Sequence, residues 1–202
     1  WYAHNANTRA ARHWGEKPML IAALSLADSY DAMFHTSGQF TGGALWHPFD
    51  HQRGYHPDPY WGGVFDAFRQ PKYAYYMFKS QVSPNGMHGG ADASPMVYVA
   101  NEITPFSETN ITVFSNCDSV RLTAYEGKSV TKPVVRAKGH LPYAPVTFEN
   151  MYDFWEMRDV SYKRKKPELV SFLAEGIIDG KVVCSEKKMP SRRSTKIRLA
   201  GV

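Results

Sequence analysis

Gly42-Gly43-Ala44-Leu45-Trp46-His47-Pro48-Phe49-Asp50-His51-Gln52-Arg53-Gly54-Tyr55-His56-Pro57-Asp58 is the stretch whose reading decides the fold. Gly42 to Trp46 is a short run of small and apolar residues. A strand buried on both faces requires such a run, so a strand is predicted there. From Trp46 to Asp58 the chain then carries three His, two Asp, an Arg, a Trp and a Tyr. Loops at the carboxyl ends of parallel strands are where α/β proteins place their ligands. Polar groups converging beside aromatic faces point to a sugar, a metal or a charged substrate.

Helical patterns flank this stretch. Met19, Leu20, Ala23, Leu24, Ala27 and Tyr30 recur at three- and four-residue spacing, which predicts a helix over 16–34 with Pro18 in its first turn. Residues 64–81 read as a second helix weighted by Phe65, Phe68, Tyr75, Tyr76 and Phe78, with a break or restart at Pro71. Helix, strand, helix is an α/β unit. One strand closes no sheet, so its partners are expected from further sequence or from another chain.

Residues 83–95 have the Gly, Pro, Ser and Asn content of a linker. From Met96 the period changes to two. Ile111, Val113 and Ser115 alternate with Thr112 and Phe114, and Val120, Leu122 and Ala124 with Arg121 and Thr123. Glu126-Gly127 is placed for a hairpin turn, and Asp179-Gly180 is a stronger turn signal. A last strand is predicted over 195–199. Several short strands at this spacing argue for a β-sandwich of roughly a hundred residues. Its Met and aromatic residues are expected in the core. The organisation read from the sequence is therefore an α/β part at 1–82, a linker at 83–95 and an all-β domain at 96–202.

The chain has 202 residues, 43% hydrophobic and 14% aromatic, enough to bury a sizeable core. Its net charge of +5 comes from 24 basic and 19 acidic side chains. The excess sits in Lys163-Arg164-Lys165-Lys166, Lys187-Lys188 and Arg192-Arg193, which read as solvated loops and hairpin ends. A nucleic-acid surface needs a basic face with aromatic platforms, and here the two lie in different halves, so no nucleic-acid partner is expected. No run of eighteen apolar residues exists, so no membrane span is expected. Cys117 and Cys184 make no metal motif. They allow one disulfide or two buried thiols, and buried thiols are expected.

For the loop, three chemistries compete. His47, Asp50, His51, His56 and Asp58 are all possible metal ligands, but their spacing matches no strong zinc pattern. Several of the His could simply bond within the loop. Recognition of a polar ligand fits best. Trp46 would cover the apolar face of a sugar ring, and His47, Asp50, His51 and Arg53 would bind hydroxyls or an acidic substituent. No cofactor is expected. Glycosidic cleavage needs two carboxylates about 5 to 9 Å apart, and Glu16 is the only glutamate before Glu102. It reads as a first-turn acid favoured by the helix dipole.

The stretch from Gly42 to Asp50 resembles the eighth barrel strand of the family 2 glycoside hydrolases, the β-galactosidase family. There a Gly-rich strand ends in a Trp, followed four residues later by an Asp. Gly62-Gly63-Val64-Phe65-Asp66 and the run from Arg69 to Gln81 resemble the family's final barrel helix with its D-x-x-R-x-P-K run. Ser115 to Leu122, followed by Gly127-Lys128-Ser129, and Leu169 to Val183 are similar to the sandwich that follows the barrel. The resemblance implies the C-terminal portion of a catalytic (β/α)8 TIM barrel followed by an immunoglobulin-like β-sandwich. It implies a retaining exo-glycosidase, β-galactosidase-like, that releases a terminal β-linked sugar from an oligo- or polysaccharide and is periplasmic or secreted by family habit. The remainder of the same enzyme, or another chain, would complete the barrel. It carries Trp46 over as the sugar platform and Asp50 as a residue near the site, while His47 and His51 depart from the commoner pattern. Both catalytic Glu would lie outside this chain. The distance from Glu16 to Gly42 also suits the nucleophile, but residues 8–15 are too polar and basic for a buried barrel strand. Two rivals remain: a non-catalytic carbohydrate-binding module using Tyr143, Tyr152, Phe154 and Trp155, and a metal-dependent enzyme using the His-rich loop.

Overall fold

The computed structural model describes residues 8–36, 38, 42–85, 93–125, 127–159 and 169–190. Helix α1 (Glu16–His35) follows a 3-10 turn at Arg12–Trp14. Its buried residues are Met19, Leu20, Ala22, Ala23, Leu26 and Ala27. They follow the three-and-four spacing of an amphipathic helix. The inward face is turned slightly from the expected one, so Leu24 and Tyr30 are only partly buried.

Residues 64–81 do not form one helix. Helix α2 is Tyr73–Lys79 alone. Before it, Phe65 bridges both Phe49 and Pro71, and Arg69 has a φ of 66°. Pro71 supplies no N–H, and a left-handed residue cannot continue a right-handed helix. Residues 42–46 are likewise not the expected strand. They pair with no strand among the described residues, bend at Trp46, and expose Gly42, Gly43, Ala44 and Trp46. A strand exists through its ladder, and here no neighbour supplies one.

The second part follows period two. Strands β1 (Val97–Val99), β2 (Ile111–Ser115) and β5 (Val146–Phe148) form one sheet in the order β1-β2-β5. Strands β3 (Ser119–Ala124), β4 (Ser129–Pro133), β6 (Phe172–Ile178) and β7 (Lys181–Lys188) form a second in the order β4-β3-β6-β7. All pairings are antiparallel. Val113, Val120, Leu122, Phe148, Val170 and Ala174 are among the side chains that fill the space between the sheets. This is a β-sandwich, and Met151, Tyr143, Tyr152 and Phe172 lie in its core as expected, whereas Phe106, Trp155 and Met189 are exposed. The Asp179-Gly180 turn joins β6 to β7 with both residues at positive φ, 49° and 74°, as a tight hairpin of this hand requires. A short helix, α3 (Phe154–Arg158), opens on a capping box between Asp153 and Glu156. Glu126, most of the linker, the Lys163–Lys166 run and the strand predicted over 195–199 lie outside the described residues.

Strand β2 is buried on both faces. Ile111 and Val113 face the sandwich, while Phe114 packs with Met19, Ala23, Tyr73 and Met77 of the helices. Helices and sandwich therefore share a hydrophobic cluster. Polar contacts close the same seam. The ring of Tyr76 stacks on Tyr98 at 3.5 Å. Gln81 donates to the Tyr143 carbonyl at 2.8 Å and accepts from its amide at 3.0 Å. The Glu16 carboxylate accepts from the Glu102 amide at 2.6 Å and the Tyr73 hydroxyl at 3.3 Å.

Candidate functional site

The loop after residue 46 is built on a buried ion pair. Asp50 Oδ1 accepts from Lys72 Nζ at 2.7 Å and from the Gly63 amide at 3.0 Å. Lys72 also donates to the carbonyls of Ala10 at 2.6 Å and Trp61 at 3.1 Å. The ammonium's three donors thus meet three acceptors. Burial pushes the Asp50 carboxyl up and the Lys72 amine down, each toward its neutral form, and their mutual hydrogen bond and attraction oppose that. The three acceptors around Nζ favour the charged pair.

Backbone bonds fix the rest of the loop's base. The Asp50 amide donates to the Phe65 carbonyl at 3.0 Å, and the Phe65 amide to Pro48 at 3.0 Å. His51 and Tyr60 exchange both backbone bonds, at 3.2 and 2.9 Å. Gly63 fits because a Cβ there would sit 2.3 Å from the Asp50 nitrogen and 2.4 Å from the Phe49 carbonyl carbon. The Asp66 side chain accepts from the amides of Phe68 and Gln70, both at 2.9 Å, and from Arg12 at 2.6 Å. Burial would raise the Asp66 carboxyl. The Arg12 guanidinium and these amides outweigh that and hold it below the usual carboxylate range. Asp66, Pro71 and Lys72 of the D-x-x-R-x-P-K run thus shape this base, and Arg69 lies over the Phe49 ring at 3.6 Å.

On this base the five candidate residues divide. Trp46 is 72% exposed and meets His47 edge-on at 4.6 Å. His47 takes a φ of 78° and lies 4.0 Å from the His51 ring, ring centre to ring centre. Desolvation and the neighbouring His51 push the His47 imidazole down, toward neutral. Both rings lie beside Tyr60, which is buried. The structure brings Trp46, His47 and His51 together. Asp50 is turned inward and serves the ion pair. Arg53 folds back onto its own loop and donates to the Asp58 carbonyl at 3.1 and 3.3 Å and to His56 Nδ1 at 2.8 Å. The Asp58 amide also reaches His56 Nδ1, at 3.1 Å. Two donors on Nδ1 put the proton of a neutral His56 on Nε2.

Among the described residues no three His, Cys, Asp or Glu side chains converge to hold a metal ion. Asp50 and His56, two of the possible ligands, are engaged elsewhere. No helix of the described residues is long and apolar enough to cross a membrane. Sequence reasoning assigned no role to Lys72 or Tyr60. For Lys72 the signal was its place at the end of the D-x-x-R-x-P-K run.

No protein-family model matches the chain. A β-galactosidase from Thermoanaerobacter pseudethanolicus is 31% identical over 146 residues, which are 68% of this chain and 18% of that protein. Among solved structures, a β-glucuronidase from glycoside hydrolase family 2 shares the fold across 96% of this chain and 18% of its own length, with a TM-score of 0.58 and 21% identity. A β-glucuronidase from Parabacteroides merdae matches 90% of this chain and 21% of its own, with a TM-score of 0.53 and 20% identity. The chain thus spans about a fifth of the length of these relatives. With that identity to a β-galactosidase, and the fold of a family 2 structure along nearly all its residues, the chain belongs to glycoside hydrolase family 2.

Proposed function

We propose that the chain forms the C-terminal part of the (β/α)8 barrel, and the immunoglobulin-like sandwich after it, of a retaining exo-glycoside hydrolase. The enzyme would be β-galactosidase- or β-glucuronidase-like, releasing a terminal β-linked sugar from an oligo- or polysaccharide in a periplasmic or secreted setting. The names of the relatives support this reading. A retaining enzyme holds two carboxylates about 5 to 5.5 Å apart, one as nucleophile and one as acid then base. This reading assigns both to sequence other than these 202 residues. The rest of the same polypeptide, or another chain, then completes the barrel and gives residues 42–46 their strand neighbours.

What this chain contributes is a sugar-facing loop. The observation that carries the reading is Trp46, a large indole held in the open against the His47 ring. Its face suits the apolar side of a pyranose ring, and the His47 imidazole beside it, with the His51 imidazole beside His47, can bond hydroxyls. Asp50 and Arg53 act by holding the loop's shape. The test is Trp46→Ala in the intact enzyme that contains this chain. Losing the platform should lower kcat/KM by roughly ten- to a hundredfold, about 1.5–3 kcal/mol of transition-state binding. The melting temperature should not change. An unaltered kcat/KM on aryl β-galactoside and β-glucuronide substrates would refute the placement of Trp46.

A further inference from the structure

Cys117 lies in the connection between β2 and β3, and Cys184 lies on the edge strand β7. Their sulfurs are 3.7 Å apart. Cys117 is fully buried and Cys184 is half-buried. No side chain stands between them, because the residue paired with Cys184 across the sheet is Gly176. A Cβ on Gly176 would sit 2.5 Å from the Cys117 sulfur and 2.6 Å from the Cys184 sulfur. Gly176 has no positive φ, so its backbone does not demand glycine. What demands it is the space that the two sulfurs occupy.

We propose that Cys117 and Cys184 are a redox-modifiable dithiol, which small disulfides of the glutathione type convert to an intramolecular bond. The pair loses its first proton as a unit. The hydrogen bond from one sulfur to the other favours a single thiolate and brings the Cys117 thiol down to about 7, against the opposing effect of burial. The Cys184 thiol is pushed up by the same hydrogen bond and by burial. Transfer of the Cys184 proton to the Cys117 sulfur across this 3.7 Å contact makes Cys184, the less buried of the two, the attacking thiolate. Cys184 attacks one sulfur of the oxidant R–S–S–R, whose bond breaks to release RS⁻. Cys117 then attacks the Cys184 sulfur of the mixed disulfide and expels the second RS⁻. Two thiols are oxidised by two electrons, one disulfide is reduced, and the two cysteine protons end on two RSH. Bond formation needs the sulfurs to close from 3.7 Å to about 2.05 Å, a movement within side-chain rotation.

The bond would fasten the edge strand to the β2–β3 connection. Beyond Cys184 on the same strand, Glu186 accepts from the Val99 amide at 2.6 Å and Lys188 reaches Glu102 at 3.2 Å. Fixing β7 thus also fixes the strand that meets the Glu16 seam.

The full chain is equilibrated in glutathione buffers of stepped oxidation, acid-quenched, unfolded, alkylated and weighed. The expected product takes no alkyl group, is two hydrogens lighter, yields one cross-linked peptide containing Cys117 and Cys184, and melts several degrees higher. Gly176→Ala, kept only if its circular dichroism is native, should need a more oxidising buffer, because its methyl group separates the sulfurs. Two alkylated cysteines at every buffer ratio would overturn the proposal. So would a stable glutathione adduct on Cys184 that never resolves.

Discussion

Replacing Lys72 with Met removes an ammonium and leaves a side chain of similar length. In the native structure the Lys72 and Asp50 side chains are 4% and 1% exposed. Lys72→Met therefore strands a carboxylate in the interior and takes the donor from the Ala10 and Trp61 carbonyls. Breaking a buried pair by removing one partner costs about 3–5 kcal/mol. For a chain of this size that is a fall in melting temperature of roughly 10 °C. Urea unfolding followed by tryptophan fluorescence measures the loss, and hydrogen exchange at the Asp50 and Gly63 amides locates it. The double variant Asp50→Leu/Lys72→Met separates the causes. It removes both charges, so most of the stability should return. A single variant within about 0.5 kcal/mol of the wild type, a change typical of surface sites, would refute the reasoning, since the pair would then be solvated. A double variant as unstable as the single would also refute it, because stranded charge would not be the cause.

Three further outcomes are expected. Phe114→Ala, at a fully buried position shared by helices and sandwich, should cost about 3–5 kcal/mol. A thermal melt that shifts by less than a surface variant would separate the two layers energetically. Gly63→Ala should cost about 3 kcal/mol or more, because the added methyl meets backbone rather than a side chain that can turn away. Normal expression and an unchanged melt would contradict that. Asp66 sets a pH dependence. Its folded pKa is depressed, so its stabilisation is present above the unfolded value, about 3.9, and is lost as pH falls through the folded value. Arg12→Met removes the main charged partner and should flatten the acid arm of the stability curve below about pH 4. An acid arm of undiminished slope would mean that Arg12 is not what holds the carboxyl down.

The sequence by itself determined the element types wherever local periodicity agreed with burial. Helix α1 begins at Glu16 as predicted, the sandwich strands follow period two, and Asp179-Gly180 turns as its chemistry requires. Its motifs also led to the right family. Other features were decided only by contacts between distant residues. Residues 42–46 have the composition of a buried strand, yet no ladder forms without neighbours to supply it. Strand β2 alternates like a half-exposed strand, and only the helices packing over Phe114 bury its second face. Asp50 has the look of a loop residue free to bind a ligand. Lys72, twenty-two positions away, draws it inward instead. Cys117 and Cys184 are sixty-seven residues apart, and the sheet register that sets them over Gly176 is a property of the fold. Periodicity and turn chemistry act over a few residues, so a sequence displays them directly. Ion pairs, shared cores and facing sulfurs depend on which segments meet, and that is settled only when the chain has packed.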